Sequence, residues 1–175
     1  MATQDLGFTP NLGGAGYKFE PGRLFRWELI VNNFGNWNKI KLALKTCDRP
    51  TASQEATTIE HFNDRFYIAG KTTFNSLKCG IYETIPDSPV GLYVSEMMQE
   101  WKHLIFDPTT NIMLPGSVYK KDATLTMYDG AGNEQFSYQL IGIWPISITP
   151  SNLDYGSSEA ATVEVEFKID KSWIL

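Results

Sequence analysis

Glu164 and Glu166 are the carboxylates whose types and spacing come nearest to a catalytic pair. They fall on one face of an alternating stretch, which sets their Cβ atoms roughly 7 Å apart, the kind of separation a glycosidase uses. Such an enzyme also needs a sugar cleft built with aromatic platforms. The other residues of this face are Thr162, Lys168 and Asp170, so we read a solvated strand face with no catalytic residue. Gly70, Lys71 and Thr72 copy the end of a phosphate-binding loop, but Arg65 stands where that loop requires its first glycine. Asp129, Gly130 and Asn133 have the flavour of a calcium loop, yet Ala131 takes a ligand position and Leu140 the place of the closing glutamate; a turn explains them better. His61 and His103 lack the Cys/His spacing of a zinc site. The expectation is therefore no metal, no cofactor and no enzyme. Cys47 and Cys79 are too few for a disulfide scaffold and are read as unlinked thiols, although spacing alone leaves a pair open.

The elements that would carry these residues are mostly strands. Ala161, Val163, Val165, Phe167 and Ile169 alternate with Thr162, Glu164, Glu166, Lys168 and Asp170, a period-two pattern with one apolar and one wet face. Phe136, Tyr138 and Leu140 alternate with polar neighbours until Gly142 and Trp144–Pro145 interrupt the rhythm, as a bulge or bend would. Ile146 and Ile148 resume it. Ala123, Leu125 and Met127 form an earlier strand, joined to the Glu134–Leu140 strand by the turn Asp129 to Asn133.

Nearer the N-terminus, Phe25, Trp27, Leu29 and Val31 predict a first strand ended by Asn32 to Asn36, and Ile40, Leu42 and Leu44 alternate with lysines as a second. Thr46 to Thr58 holds no large apolar residue and is expected to project as a loop. Ile59 to Ala69 and Thr72 to Ile81 then read as strands about a Gly70–Lys71 turn. One helix is predicted, from Ser88–Pro89 to Asp107–Pro108: Val94, Met97, Met98, Trp101, Leu104 and Ile105 make one apolar stripe, opposite Glu96, Gln99, Glu100 and His103. It needs a sheet to lie on, at an open end or edge. The terminal Trp173, Ile174 and Leu175 should dock on the domain or on a neighbour.

The chain has 175 residues, 42% hydrophobic and 13% aromatic, with a net charge of −5. This describes a folded and mildly acidic chain, long enough for one substantial core, and excludes a mainly disordered one. Fifteen Lys and Arg are scattered among twenty Asp and Glu, which leaves no basic patch for gripping phosphates. No stretch approaches the ~20 apolar residues of a membrane span, and the first ten residues lack a signal-peptide pattern. Residues 1–22 are glycine-rich and read as an N-terminal arm; residues 23–175 read as a single β domain.

The order of strand, G-x-W-P at Gly142 to Pro145, short strand, SNLDYGSSEA at Ser151 to Ala160 and V-E-V-E-F at Val163 to Phe167 resembles the C-terminal half of the tail tube proteins of contractile-tailed bacteriophages. The preceding hairpin and the single helix resemble the same family in the same order. The likeness runs over about residues 20 to 170 and is strongest from Ala123 onward.

The resemblance implies a mainly β fold of two packed antiparallel sheets, sandwich- or barrel-like, with one flanking helix. Inner sheets would join between subunits into a ring-wide barrel, and hexameric rings would stack into a tube that carries DNA in passage and houses a tape-measure protein. It implies a sheath partner, baseplate or initiator partners, and a place in the virion tail after assembly in host cytoplasm. Candidates for contact between rings are Arg49, Pro50, Ser53, Gln54 and Glu55; for the sheath, Glu96, Glu100 and Lys102; for a wet face, lumen or outer surface, Glu164 and Glu166. A bacterial contractile injection or secretion tube would look much the same. From another class, a monomeric sandwich that binds a ligand or hydrolyses a sugar stays open.

Overall fold

The computed structural model of the chain describes residues 24–35, 37–85, 93–129 and 131–175. The expected arm over residues 1–22 and the helix start at Ser88–Pro89 lie outside the described residues. In chain order the elements are β1 (Trp27–Val31), α1 (Trp37–Ile40) running into a 3₁₀ turn (Lys41–Ala43), β2 (Leu44–Cys47), β3 (Ala52–His61), β4 (Asp64–Phe74), β5 (Leu77–Tyr82) and α2 (Val94–His103). There follow β6 (Phe106–Asp107), β7 (Ile112–Met113), α3 (Gly116–Tyr119), β8 (Lys121–Tyr128), β9 (Glu134–Pro150), β10 (Thr162–Lys168) and β11 (Lys171–Ile174).

Two antiparallel sheets share one strand. β9, 17 residues long, pairs with β8 and β11 along its first part and with β10 along its last. The first sheet is thus β1-β8-β9-β11 and the second β9-β10-β5-β2. The switch lies at Gly142, whose φ of +68° is left-handed, where glycine alone avoids a Cβ penalty. Its N–H reaches Asp122 Oδ1 at 3.2 Å. A Cβ there would run into the Asp170 carboxylate, which Lys120 holds in an ion pair of 2.6 Å. The expected bend is therefore a bulge that transfers the strand between sheets.

Alternation sorts each strand into a dry and a wet face. Val163, Val165 and Phe167 of β10 and Leu77, Cys79 and Ile81 of β5 are buried, as are Leu29, Val31, Ala123, Leu125 and Leu140 of the first sheet. The stripe of α2, Val94, Met97, Met98 and Trp101, enters the same core. Trp101 stacks on Phe34 at 4.8 Å and meets Phe167 at 5.7 Å, while its indole N–H donates to Tyr119 O at 2.7 Å. The helix begins with Tyr93 N–H donating to Glu96 Oε2 at 2.9 Å, a carboxylate placed on the free amides and the positive end of the helix. It ends at His103, short of the expected Asp107. Asp107 instead accepts from Thr109 and Thr110 in a turn between β6 and β7, and these hydrogen bonds lower its pKa to about 2.

Three expectations for the N-terminal half are corrected. The second strand over residues 39–45 is helical in its first part, because the side chains that enter the core, Trp37, Ile40 and Ala43, recur every third residue. Leu42, assigned by alternation to the dry face, is 85% exposed. Trp37 fixes this turn by donating its indole N–H to Leu29 O at 2.7 Å. The loop from Thr46 to Thr58 and the Gly70–Lys71 turn are also replaced. Residues 44–47 belong to β2, residues 52–61 pair with residues 64–74 as one long hairpin, and the turn is at Phe62–Asn63.

Candidate assembly surfaces

The β3–β4 hairpin stands apart from the core. Every residue from 51 to 73 is exposed, and none belongs to the buried cluster. Cross-strand partners share a face. Ile59 opposite Phe66 and Thr57 opposite Ile68 make one face apolar, while Glu60 opposite Arg65 and Thr58 opposite Tyr67 make the other mixed and polar. The Glu60–Arg65 pair is closed by an ion pair of 3.2 Å. Ile59, Phe66 and Ile68 are each about half exposed, and Phe62 projects from the turn at a φ of +53°. Two-stranded ribbons alone are marginal in water, and an exposed apolar stripe of this kind is a surface that a partner could cover.

Near the root, the register shifts between Gln54 and Ala56. Gly70 sits at this bulge, where a Cβ would lie 2.9 Å from Glu55 O. The phosphate-loop-like triplet Gly70–Lys71–Thr72 is thus a strand with a close backbone approach. Of the residues expected to touch the next ring, Ser53, Gln54 and Glu55 are exposed on β3; exposed Arg49 and half-buried Pro50 lie in the link from β2. The sequence reading runs Ile59 to Ala69 as one strand, whereas the structure divides it at Phe62–Asn63 and so sets Ile59 of β3 opposite Phe66 of β4.

The wet face of the second sheet is a second surface. Glu164 lies between Gly80 and Thr149, and Glu166 between Lys78 and Ser147. With Thr46 and Asp48 they line a shallow polar depression of about 290 Å³. Small hydroxyl side chains and three carboxylates against one lysine give this face an acidic balance. Glu164 is exposed and Glu166 half-buried. On α2, Glu96 and Glu100 are exposed and Lys102 half-buried, away from the core stripe.

Among the described residues no group of three or more His, Cys, Asp and Glu is gathered as a metal site, and no helix among them is long and apolar enough to cross a membrane. His61 packs edge-on against Phe62 at the hairpin tip, and His103 ends α2. Asp129 accepts from the amides of Ala131 and Asn133 at 2.8 Å each, a turn-closing role; hydrogen bonds from Asn133 lower its pKa.

Residues 89–172 match the family model described as T4-like virus tail tube protein gp19. Over that segment the chain is similar to the tail tube family. The tail tube fold extends beyond the matched segment: the tube terminating cap of the anti-feeding prophage superposes with a TM-score of 0.70 at 16% identity, covering 91% of this chain and 93% of that one. A chain of the extended PVC sheath–tube complex, an extracellular contractile injection system, gives 0.65 at 16% identity over 89% of this chain and 91% of that one. The PVC sheath/tube terminator gives 0.68 at 16% over 90% and 98%. No curated protein matches by sequence. The tail tube likeness thus covers the N-terminal half of the chain in fold, where the family model does not reach.

Proposed function

We propose that this chain is the repeating subunit of a contractile tail, one domain over residues 23–175 that closes into hexameric rings and stacks into the inner tube through which a genome is delivered. The observation that carries the reading is the β3–β4 hairpin, a long amphipathic ribbon with its apolar stripe in water. A copy in the next ring is the partner that would cover it, with Arg49, Pro50, Ser53, Gln54 and Glu55 near its root. Rings would close by strand pairing at the free edges of β1 and β2, which end the strand order of the two sheets.

The wet face of the second sheet is assigned to the lumen, because its hydroxyls and carboxylates present neither a basic grip nor a large apolar side chain to passing DNA. Glu96, Glu100 and Lys102 of α2 are assigned to a sheath, baseplate or initiator proteins to the tube's end, and a tape-measure protein to its lumen. The subunit would be made in host cytoplasm and work in the tail without catalysis. The likeness to chains from extracellular injection systems supports the same tube role in a particle without a genome.

The test is negative-stain electron microscopy of the concentrated full chain. Rings or hollow tubes of constant diameter are expected. Monomers alone, persisting with added salt and a crowding agent, would overturn self-assembly and return the ligand-binding sandwich.

A further inference from the structure

Cys47 on β2 and Cys79 on β5 face each other across the root of the hairpin. They are direct register partners, and their Sγ atoms lie 3.2 Å apart as free thiols. The ladder says which kind of pair they are. Asp48 N–H donates to Lys78 O at 2.9 Å, which makes Asp48 and Lys78 a hydrogen-bonded pair and their neighbours Cys47 and Cys79 a non-hydrogen-bonded one. Such pairs hold their Cα atoms about 4.5 Å apart with side chains leaning together, inside the ~4.4–6.8 Å that a disulfide tolerates.

We propose that Cys47 and Cys79 are an oxidisable pair, which closes to an intrachain disulfide and clamps the base of the β3–β4 hairpin. The loop it would close, residues 48–78, contains the whole hairpin and nothing of the core except Leu77. The bond therefore ties the projecting element, and the edge strand β2, to β5 in the middle of the second sheet.

A low-molecular-weight disulfide is the oxidant. Half-buried Cys47 is the thiol that solvent reaches, whereas Cys79 is 1% exposed. The Cys47 thiolate attacks the oxidant, forms a mixed disulfide and expels one small thiol. Cys79 then gives up its proton, attacks the Cys47 sulfur and expels the second. Two electrons pass from the two protein sulfurs to the oxidant's S–S bond. Burial pushes the Cys79 thiol up, which makes the second step the slow one. A reducing cytoplasm would keep the pair open during assembly, and an oxidising exterior would close it.

The test uses the full chain, purified with reductant and divided between dithiothreitol and oxidised glutathione, then alkylated after acid unfolding and mapped by mass spectrometry. In the oxidised sample both thiols should disappear into one Cys47–Cys79 cross-linked peptide, and the thermal midpoint should rise by about 5–10 °C. Cys47→Ser, at a half-buried position, should keep its remaining thiol and show no shift; Cys79→Ala should do the same. Two alkylated thiols in a folded, oxidised chain would overturn the proposal, as would a bond between chains or a glutathione left on Cys47. None of these readouts depends on ring or tube formation, so the thiol pair and the tube reading fail separately.

Discussion

Gly142 shows how much one residue type can decide. Its left-handed φ of +68° and the Asp170 carboxylate where a side chain would go mean that Gly142→Ala meets both backbone strain and a clash with a group already held by Lys120. We expect a loss of about 2–4 kcal/mol in urea unfolding, the sum of the left-handed penalty and local displacement of the ion pair. A loss under ~0.5 kcal/mol would mean the strand changes sheets without needing glycine. Other single contacts are smaller and more polar. Lys41 donates to Glu28 at 2.9 Å and Tyr128 to the same carboxylate at 3.1 Å; the Lys41 hydrogen bond leads in lowering the Glu28 pKa, while burial, then Glu28, raises that of Tyr128.

At the scale of elements, what could be read from the sequence was whatever repeats within one strand or one helix. β10, β8, the turn at Asp129 and the stripe of α2 follow from local period, because each buries its own alternating or helical face. The bulge at Gly142 was legible for the same reason, as a glycine and proline interrupting a run. The helical turn at Trp37 was not, since Ile40, Leu42 and Leu44 satisfy alternation and only the burial of Trp37 and Ala43 selects the three-residue period. Nor was the hairpin, because residues 46–58 contain no large apolar side chain and their strand character comes from pairing with β4. The candidate ring-contact stretch was named from Arg49 to Glu55, but its apolar stripe was not, because those side chains lie on the partner strand and at Ile59. Its role gives a direct test. Phe66→Ser with Ile68→Ser removes the stripe at exposed positions, so the thermal midpoint should move by only a few degrees, and rings should still form. Stacking should fail, seen as single rings in place of tubes by negative stain. Tubes of normal length from the double variant would remove the hairpin from the contact between rings.

For the whole molecule, the question is which face looks inward, and charge offers the way to ask it. The wet face of the second sheet sets Glu164, Glu166 and Asp48 against Lys78, and a conduit for a polyanion works only if phosphates find nothing to hold them. Glu164→Lys with Glu166→Lys converts this balance from three carboxylates and one lysine to one carboxylate and three lysines. Both positions point away from the core between buried neighbours Val163, Val165 and Phe167, so the fold should survive the change. In the proposed ring of six copies the reversal would be multiplied around the lumen. Tubes of the double variant should retain short single-stranded DNA in sedimentation assays at low salt and release it steeply as salt rises, since each phosphate contact releases counterions. Wild-type tubes should retain none. A fluorescent oligonucleotide too short to bridge tubes reports this binding, and capping the tube ends with bulky antibody fragments separates the two surfaces. DNA held inside should become inaccessible to nuclease, whereas DNA on the outer wall should be digested at once. Digestion at the full rate would place Glu164 and Glu166 on the outer wall and hand the lumen to the first sheet.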